Sequence, residues 1–435
     1  MVNFFDFKFI NKFSRDLITI ISLGILIRAV FFFIFDYKND YQGGDSKYYL
    51  ETGRNIVEYG VHGSDVAASF FRPPLYSFFA GIVANISDTA VCFYVVQSTL
   101  FIGFSVAVYF LMLRYGARLA YLSALLISIS PFDVLMNGRV LSENLITPLF
   151  VLGALLFVNA DNSKLRFFIS GVLLGGAVLC RDIYLLFPIF LLVTGLFLKL
   201  NWRYLAIFVI GFTLTVTPWV YRNSQLHGGG LFLSKGILWT GLWVGVWERS
   251  AEWTKMPNPY VLPPEAFATF ENGNSPNVVK EAFVARDEDF FRRITIDYAV
   301  DHPMKVICAW IVRYPLLWFG TRSDLNTSIF VSSSLSWYIM KVTFFIVNAI
   351  VVIFAVIGGV LALRLRKLPL LMFPPVIYSA FIYIPFHNVE TRYSLPIMPI
   401  LTIYFSYFLI HIQDDWTSHG AEDGLGQFNE SQNTI

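Results

Sequence analysis

The residues of this chain whose types and spacing could do chemistry are two acids and four arginines, set in short polar stretches between apolar runs. Asp45 stands in Tyr41-Gln-Gly-Gly-Asp45-Ser-Lys-Tyr48-Tyr49, and Arg72 opens Arg72-Pro73-Pro74-Leu-Tyr76. Glu143 lies in Asn137-Gly-Arg139-Val-Leu-Ser142-Glu143-Asn144, and Arg181 is followed by Asp182. Arg392 belongs to His387-Asn-Val-Glu390-Thr-Arg392-Tyr393-Ser-Leu-Pro396-Ile-Met-Pro399. A carboxylate reached from water can take a proton from a hydroxyl or amine. Guanidinium forks match phosphate oxygens and stay charged. The inventory therefore suits an acid/base step beside a bound phosphate, with Asp45 and Glu143 as the acids and Arg72, Arg139, Arg181 and Arg392 on the phosphate side. Tyr48, Tyr76, Tyr393 and Glu390 are candidates to hold the acceptor.

Each residue also has a plainer role. Asp45 and Glu143 both suit the start of a helix, where a side-chain oxygen and a negative charge are favoured. Arg181 is placed to pair with Asp182, and Arg392 with Glu390. Arg28, inside the first apolar run, fits either an ion pair within the bundle or a lipid phosphate, and stays outside the site.

Composition says what must position these side chains. With 56% hydrophobic and only 14% charged residues over 435 positions, the chain reads as an all-α polytopic membrane protein. A net charge of +2, with no basic stripe, excludes a nucleic-acid-binding role. Cys92, Cys180 and Cys308 lie far apart without metal or redox spacing, and no His-Glu-x-x-His pattern occurs. A divalent cation such as Mg or Mn would have to rest on Asp45 and Glu143.

Ten apolar runs can cross a bilayer: 17–35, 93–113, 119–135, 144–159, 167–179, 183–198, 204–220, 337–363, 369–386 and 393–412. The basic clusters Lys8/Lys12/Arg15, Arg114/Arg118, Lys164/Arg166, Lys199/Arg203 and Arg364/Arg366/Lys367 then fall on one side, the cytoplasmic one. Asp45, Arg72, Glu143, Arg181 and Arg392 consequently gather on the other. The first outer loop spans 36–92 and a long one 221–336, the latter with Trp239, Trp243, Trp247 and Trp253 as a packing rim or a carbohydrate-stacking surface. Residues 75–86 and 306–319 are too short to cross and read as helices lying on the outer surface. Asp45 should start a surface helix with Tyr48, Tyr49, Ile56 and Val57 on its apolar side. The membrane domain ends near 412, and the polar tail 413–435 reads as disordered in the cytoplasm.

Taken in order, Gly44-Asp45, Arg72-Pro73-Pro74-Leu-Tyr76, Leu141-Ser142-Glu143, Arg181 and Glu390-Thr-Arg392-Tyr393-Ser-Leu-Pro396 resemble the integral-membrane family C glycosyltransferases, in particular the protein O-mannosyltransferase and lipid A aminoarabinose transferase group. The resemblance covers roughly 17–412. It implies a bundle of transmembrane helices with a juxtamembrane helical layer, an extracytoplasmic active site, and a polyprenyl-phosphate or dolichyl-phosphate sugar as donor. It places Asp45 at the first-loop catalytic acid, Glu143 at the second acidic position and Arg72 at the basic residue before the prolines, with Arg181 and Arg392 following. One departure is visible: many relatives carry Asp-Glu in the first loop, and here Ser46 follows Asp45. The lack of a large C-terminal sugar-binding domain argues against the oligosaccharyltransferase and eukaryotic protein mannosyltransferase branches. The expected activity is inverting transfer of a monosaccharide from undecaprenyl phosphate to a lipid, glycan or protein at a bacterial inner membrane. A ligase or polymerase using diphosphate-linked donors is the nearest alternative, and a lipid or solute transporter the next.

Overall fold

The computed structural model of the protein describes residues 7–34, 45–63, 71–226, 229–235, 238–247, 287–319, 334–386 and 391–430. Glu390 and Trp253 lie outside them. Among the described residues the chain is helical throughout, without strands. In chain order the helices are α1 (Phe7–Ile34), α2 (Asp45–Tyr59), α3 (Leu75–Ile86), α4 (Ala90–Met112), α5 (Ala117–Ser128), α6 (Pro131–Met136), α7 (Glu143–Val158) and α8 (Lys164–Cys180). There follow α9 (Phe187–Phe197), α10 (Trp202–Leu226), α11 (Leu238–Trp247), α12 (Glu288–Asp301), α13 (Pro303–Phe319), α14 (Ser334–Arg364), α15 (Pro374–Ile382) and α16 (Met398–Glu430).

The ten apolar runs fall on helical segments, and among the described residues six stretches are long and apolar enough to cross a bilayer by themselves: Phe13–Ile34, Ala90–Tyr115, Ala117–Met136, Trp202–Leu226, Val342–Arg364 and Arg392–Asp414. Helices α7 and α8 are shorter, with 16 and 17 residues. The runs 183–198 and 369–386 are interrupted: each is a 3-10 turn followed by a helix, of 11 residues in α9 and 9 in α15. At 1.5 Å per residue such helices reach only about half-way through a 30 Å hydrocarbon core. They pack on each other, Phe187 against Tyr378 with ring centroids 5.4 Å apart.

Two polar ends result. At one, the basic loops are tied together: Arg114 pairs with Asp161 at 2.6 Å, Arg166 with the same carboxylate at 3.4 Å, and Arg118 with Asp414 at 3.0 Å. The candidate site residues sit at the other. The last helix does not stop near 412 as the polar composition suggested but runs on to Glu430.

The two short apolar pieces are helical, α3 with the bounds read from the sequence and α13 starting three residues earlier. Helix α2 differs from its expected pattern. Its buried positions are Ser46, Tyr49, Leu50, Thr52 and Gly53, while Val57 remains 39% exposed. The cause is its contact with α3, which is made through glycine: a Cβ built on Gly53 would lie 2.6 Å from the Gly81 nitrogen. Backbones this close require the smallest residue on both helices, and an apolar stripe carries no such signal. Trp243 is 1% exposed and meets Tyr298 edge-on at 5.9 Å, the packing alternative of the two expected for that tryptophan.

Candidate active site

The site is assembled by four chain segments, each arriving at a helix end. Asp45 is the first residue of α2, and its carboxylate is turned toward arginines rather than spent on the helix alone. Arg72 Nη2 donates to Asp45 Oδ1 at 2.7 Å, and Arg392 Nη1 lies 3.4 Å from Oδ2. Arg72 also donates from Nη1 to the Tyr49 hydroxyl at 2.8 Å, one turn further along α2. Its guanidinium lies over the rings of Tyr49, Tyr48 and Phe71 at 5.1, 5.4 and 5.4 Å. The prolines that follow hold Arg72 out of the helical conformation and start α3 behind it, so the close α2–α3 contact fixes carboxylate and guanidinium together.

Glu143 opens α7. Its Oε1 accepts from Arg181 Nη1 at 2.9 Å and lies 3.8 Å from Arg392 Nε. Arg181 ends α8 in an extended conformation, and its guanidinium sits over the Tyr393 ring at 4.3 Å. Tyr393 in turn stacks on Tyr383, with centroids 5.1 Å apart and planes 8° from parallel. Arg392 therefore stands between the two acids, and five residues expected from four separate loops form one ion-paired cluster.

One local pairing is replaced by distant ones. Arg181 turns to Glu143, and the Asp182 carboxylate accepts from the Ser234 hydroxyl instead. Arg28 belongs to the interior: it donates from Nε to Asn137 Oδ1 at 3.1 Å and from Nη1 to the carbonyls of Ser128 and Gly24 at 2.6 and 3.0 Å. Tyr76 is fully buried beneath the cluster, edge-on to Tyr49 at 4.8 Å, with its hydroxyl donating to Gln97 at 2.8 Å. That places it under the site rather than at its mouth. Gln97 donates onward to the carbonyls of Asn137 and Arg139 at 2.9 and 3.0 Å, and Asn144 donates to Met136 and Arg139 at 3.0 and 2.9 Å. Arg139 thus contributes a carbonyl to the frame that holds the loop carrying Glu143. Gln97, Asn144 and Tyr383 were not singled out from the sequence; a glutamine and an asparagine inside apolar runs were the available signal for the first two.

The acids differ in access. The side chain of Asp45 is 30% exposed and that of Glu143 only 3%, so only Asp45 can meet an acceptor coming from water. Burial pushes the Asp45 carboxyl up, but Arg72, Arg392 and Arg181 together outweigh it and hold the group below its ordinary range. Three guanidiniums against two carboxylates leave one positive charge in the cluster. No group of three His, Cys, Asp or Glu side chains gathers among the described residues. Asp45 and Glu143 are both ion-paired, with Arg392 between them.

Beside the cluster opens a cavity of about 460 Å³. Arg181, Asp182, Ser234, Tyr383 and Tyr393 form its polar part, and Leu185, Leu186, Phe232, Leu238, Ile382 and Phe386 are among its apolar walls. The two interrupted spans make room for it.

Residues 71–221 match the model of the dolichyl-phosphate-mannose-protein mannosyltransferase family, a stretch that takes in Arg72, Glu143 and Arg181 and leaves Asp45 and Arg392 outside. No curated protein matches the chain. Among solved structures, the crystal structure of ArnT from Cupriavidus metallidurans bound to undecaprenyl phosphate is similar at 13% identity and a TM-score of 0.41, over 90% of this chain and 77% of that one. The chain is an all-α polytopic membrane protein that resembles the mannosyltransferase family over residues 71–221.

Proposed function

We propose that this protein transfers a monosaccharide from a polyprenyl-phosphate carrier, of the undecaprenyl-phosphate kind, to an acceptor hydroxyl or amine, by a single displacement that inverts the anomeric carbon. The observation that carries it is the ion-paired cluster of Asp45, Glu143, Arg72, Arg181 and Arg392 opening onto a cavity that is polar at Arg181 and apolar beyond. An amphiphile with a phosphate head and a hydrocarbon tail fits such a lining. The match of residues 71–221 to a family of lipid-phosphate mannosyltransferases supports the same class of reaction, and extending it to the whole chain is part of the proposal.

In this reading the donor phosphate binds Arg181 and Arg392, with Arg72 near by. Asp45 takes the proton of the acceptor as its oxygen or nitrogen bonds to the anomeric carbon. The bond from that carbon to the phosphate oxygen breaks, and the prenyl phosphate leaves with one further negative charge. Guanidiniums already aimed at that oxygen stabilise the developing charge, which is the main electrostatic contribution. Glu143, buried and paired, keeps Arg181 and Arg392 in place. The arginines supply the positive charge that a divalent ion would otherwise bring.

The site faces the extracytoplasmic side in this reading, opposite the basic loops, in a bacterial inner membrane.

The test is release of undecaprenyl phosphate from a panel of undecaprenyl-phosphate sugars by the purified protein in nanodiscs, with envelope extract as acceptor. Wild type should release it from at least one donor, and Asp45→Asn should lose about 100-fold or more of that rate while still binding the lipid. Undiminished turnover in Asp45→Asn removes Asp45 as the base, and release from diphosphate-linked donors alone moves the protein to the ligase class.

A further inference from the structure

The cavity contains a carboxylate that the proposed displacement does not use. Asp182 follows Arg181 directly, lines the same cavity, and is not taken by that arginine, whose guanidinium is held by Glu143. The Ser234 hydroxyl donates to Asp182 Oδ2, across 52 residues of chain.

Both partners are fixed from behind. Ser234 follows Leu233, whose carbonyl accepts from the buried Trp219 Nε1 at 2.8 Å and from the buried Asn223 Nδ2 at 3.1 Å. On the other side the Tyr378 hydroxyl donates to the Ile183 carbonyl, next in chain to Asp182. Three side chains on α10 and α15 are thus spent on holding two short connecting segments so that a serine and an aspartate meet at the cavity wall. A carboxylate there is unsuited to a hydrocarbon tail, because apolar contact gives no return for its desolvation. It is suited to hydroxyls, which donate to carboxylates in strong charge-assisted bonds.

We propose that Asp182 and Ser234 form a hydroxyl-binding pair that reads the sugar of the donor and so sets which glycosyl phosphate lipid the protein accepts. The inference rests on the reading of the neighbouring cluster as the donor-phosphate site. Arg181 then takes the phosphate, and the sugar attached to it falls beside the adjacent residue. One oxygen of Asp182 is oriented by Ser234, which leaves the carboxylate to accept from one or two ring hydroxyls. An acceptor polyol offers the same chemistry, so the source must be separated by experiment.

The experiment measures binding of undecaprenyl phosphate, of the undecaprenyl-phosphate sugar that wild type prefers, and of its deoxy analogues, to wild type, Asp182→Asn and Ser234→Ala in nanodiscs. Asp182→Asn should weaken the glycosylated lipid about tenfold or more and leave undecaprenyl phosphate unchanged. One deoxy analogue should bind wild type as weakly as the parent binds Asp182→Asn, and should lose nothing further in that variant. Ser234→Ala, which keeps the carboxylate, should show the same selectivity at smaller size. Equal weakening of both lipids, or of neither, overturns the pair as a sugar reader. A change confined to KM for the acceptor overturns the assignment to the donor. If wild type binds no undecaprenyl lipid, the proposed function falls and this inference with it; if it binds the lipid but the gain from the sugar ignores Asp182, only this inference falls.

Discussion

At the scale of single residues, the site is a problem in sharing three guanidiniums between two acids. Glu143, at 3% side-chain exposure, depends on its partners far more than Asp45 does. Removing one member of a buried pair leaves the other charge uncompensated, at a cost of about 3–5 kcal/mol. Glu143→Gln should therefore lower the thermal unfolding temperature clearly more than Asp45→Asn, as measured by tryptophan fluorescence in detergent. An equal or smaller drop would show that Arg181 finds another partner. The same sharing sets a pH dependence. Asp45 has its folded pKa below the ordinary 3.8, so the unfolded chain takes up this proton first as the medium is acidified. Its contribution to stability is complete above 3.8 and is lost as pH falls through the lower folded value. As base of the free protein it should leave kcat/KM level through the weakly acidic range, with an acid limb only below 3.8. A limb that starts near pH 6 would point to a different base.

At the scale of elements, catalysis depends on contacts that carry no chemistry. Helices α2 and α3 touch backbone to backbone at Gly53 and Gly81, and this contact brings Asp45 and Tyr49 against Arg72. Gly53→Val should separate the helices and reduce transfer strongly, although no charged residue is altered. Gly103, also helical, has nothing within 4 Å of an added Cβ. Gly103→Ala should leave activity unchanged and stabilise by up to about 1 kcal/mol through helix propensity. Parallel activity and unfolding assays on the two variants check this. If Gly53→Val keeps full activity, the α2–α3 contact does not position the site. The short α9 and α15 play a comparable part, since full-length spans there would fill the volume that the cavity occupies.

For the molecule as a whole, charge separates the two ends. The Arg114–Asp161–Arg166 and Arg118–Asp414 pairs mark one, and the five-residue cluster marks the other. Lys and Arg in short loops favour the cytoplasm, and the proposed function puts the cluster on the opposite side. Tyr59, at the end of α2, and Leu165, at the start of α8, are 62% and 65% exposed and report on opposite ends. In a background with Cys92 and Cys308 replaced by serine, Tyr59→Cys should react with a membrane-impermeant maleimide in intact cells. Leu165→Cys should react only after permeabilisation. The reverse pattern would put the active site in the cytoplasm and remove the proposed acceptors.

By itself the sequence determined what is local. Hydropathy over a window of twenty residues places an apolar helix without knowledge of its neighbours, so the all-α membrane class and the positions of the runs were legible. The proline pair after Arg72 and the polar interruptions at 137–144 and 387–393 were legible for the same reason, and the candidate residues came from those interruptions. Pairing is not local. Arg181 has an acid beside it in sequence and uses one 38 positions away, because the extended end of α8 aims its side chain at the start of α7. Arg392 comes within reach of both acids through the 3-10 turn Thr391–Ile397 that precedes α16. The glycine contact of α2 with α3, the interruption of two spans and the meeting of Asp182 with Ser234 depend on how elements close on one another. Ion pairs and cavities are properties of distances in space, and those exist only once the tertiary structure has chosen among the arrangements that the same helices allow.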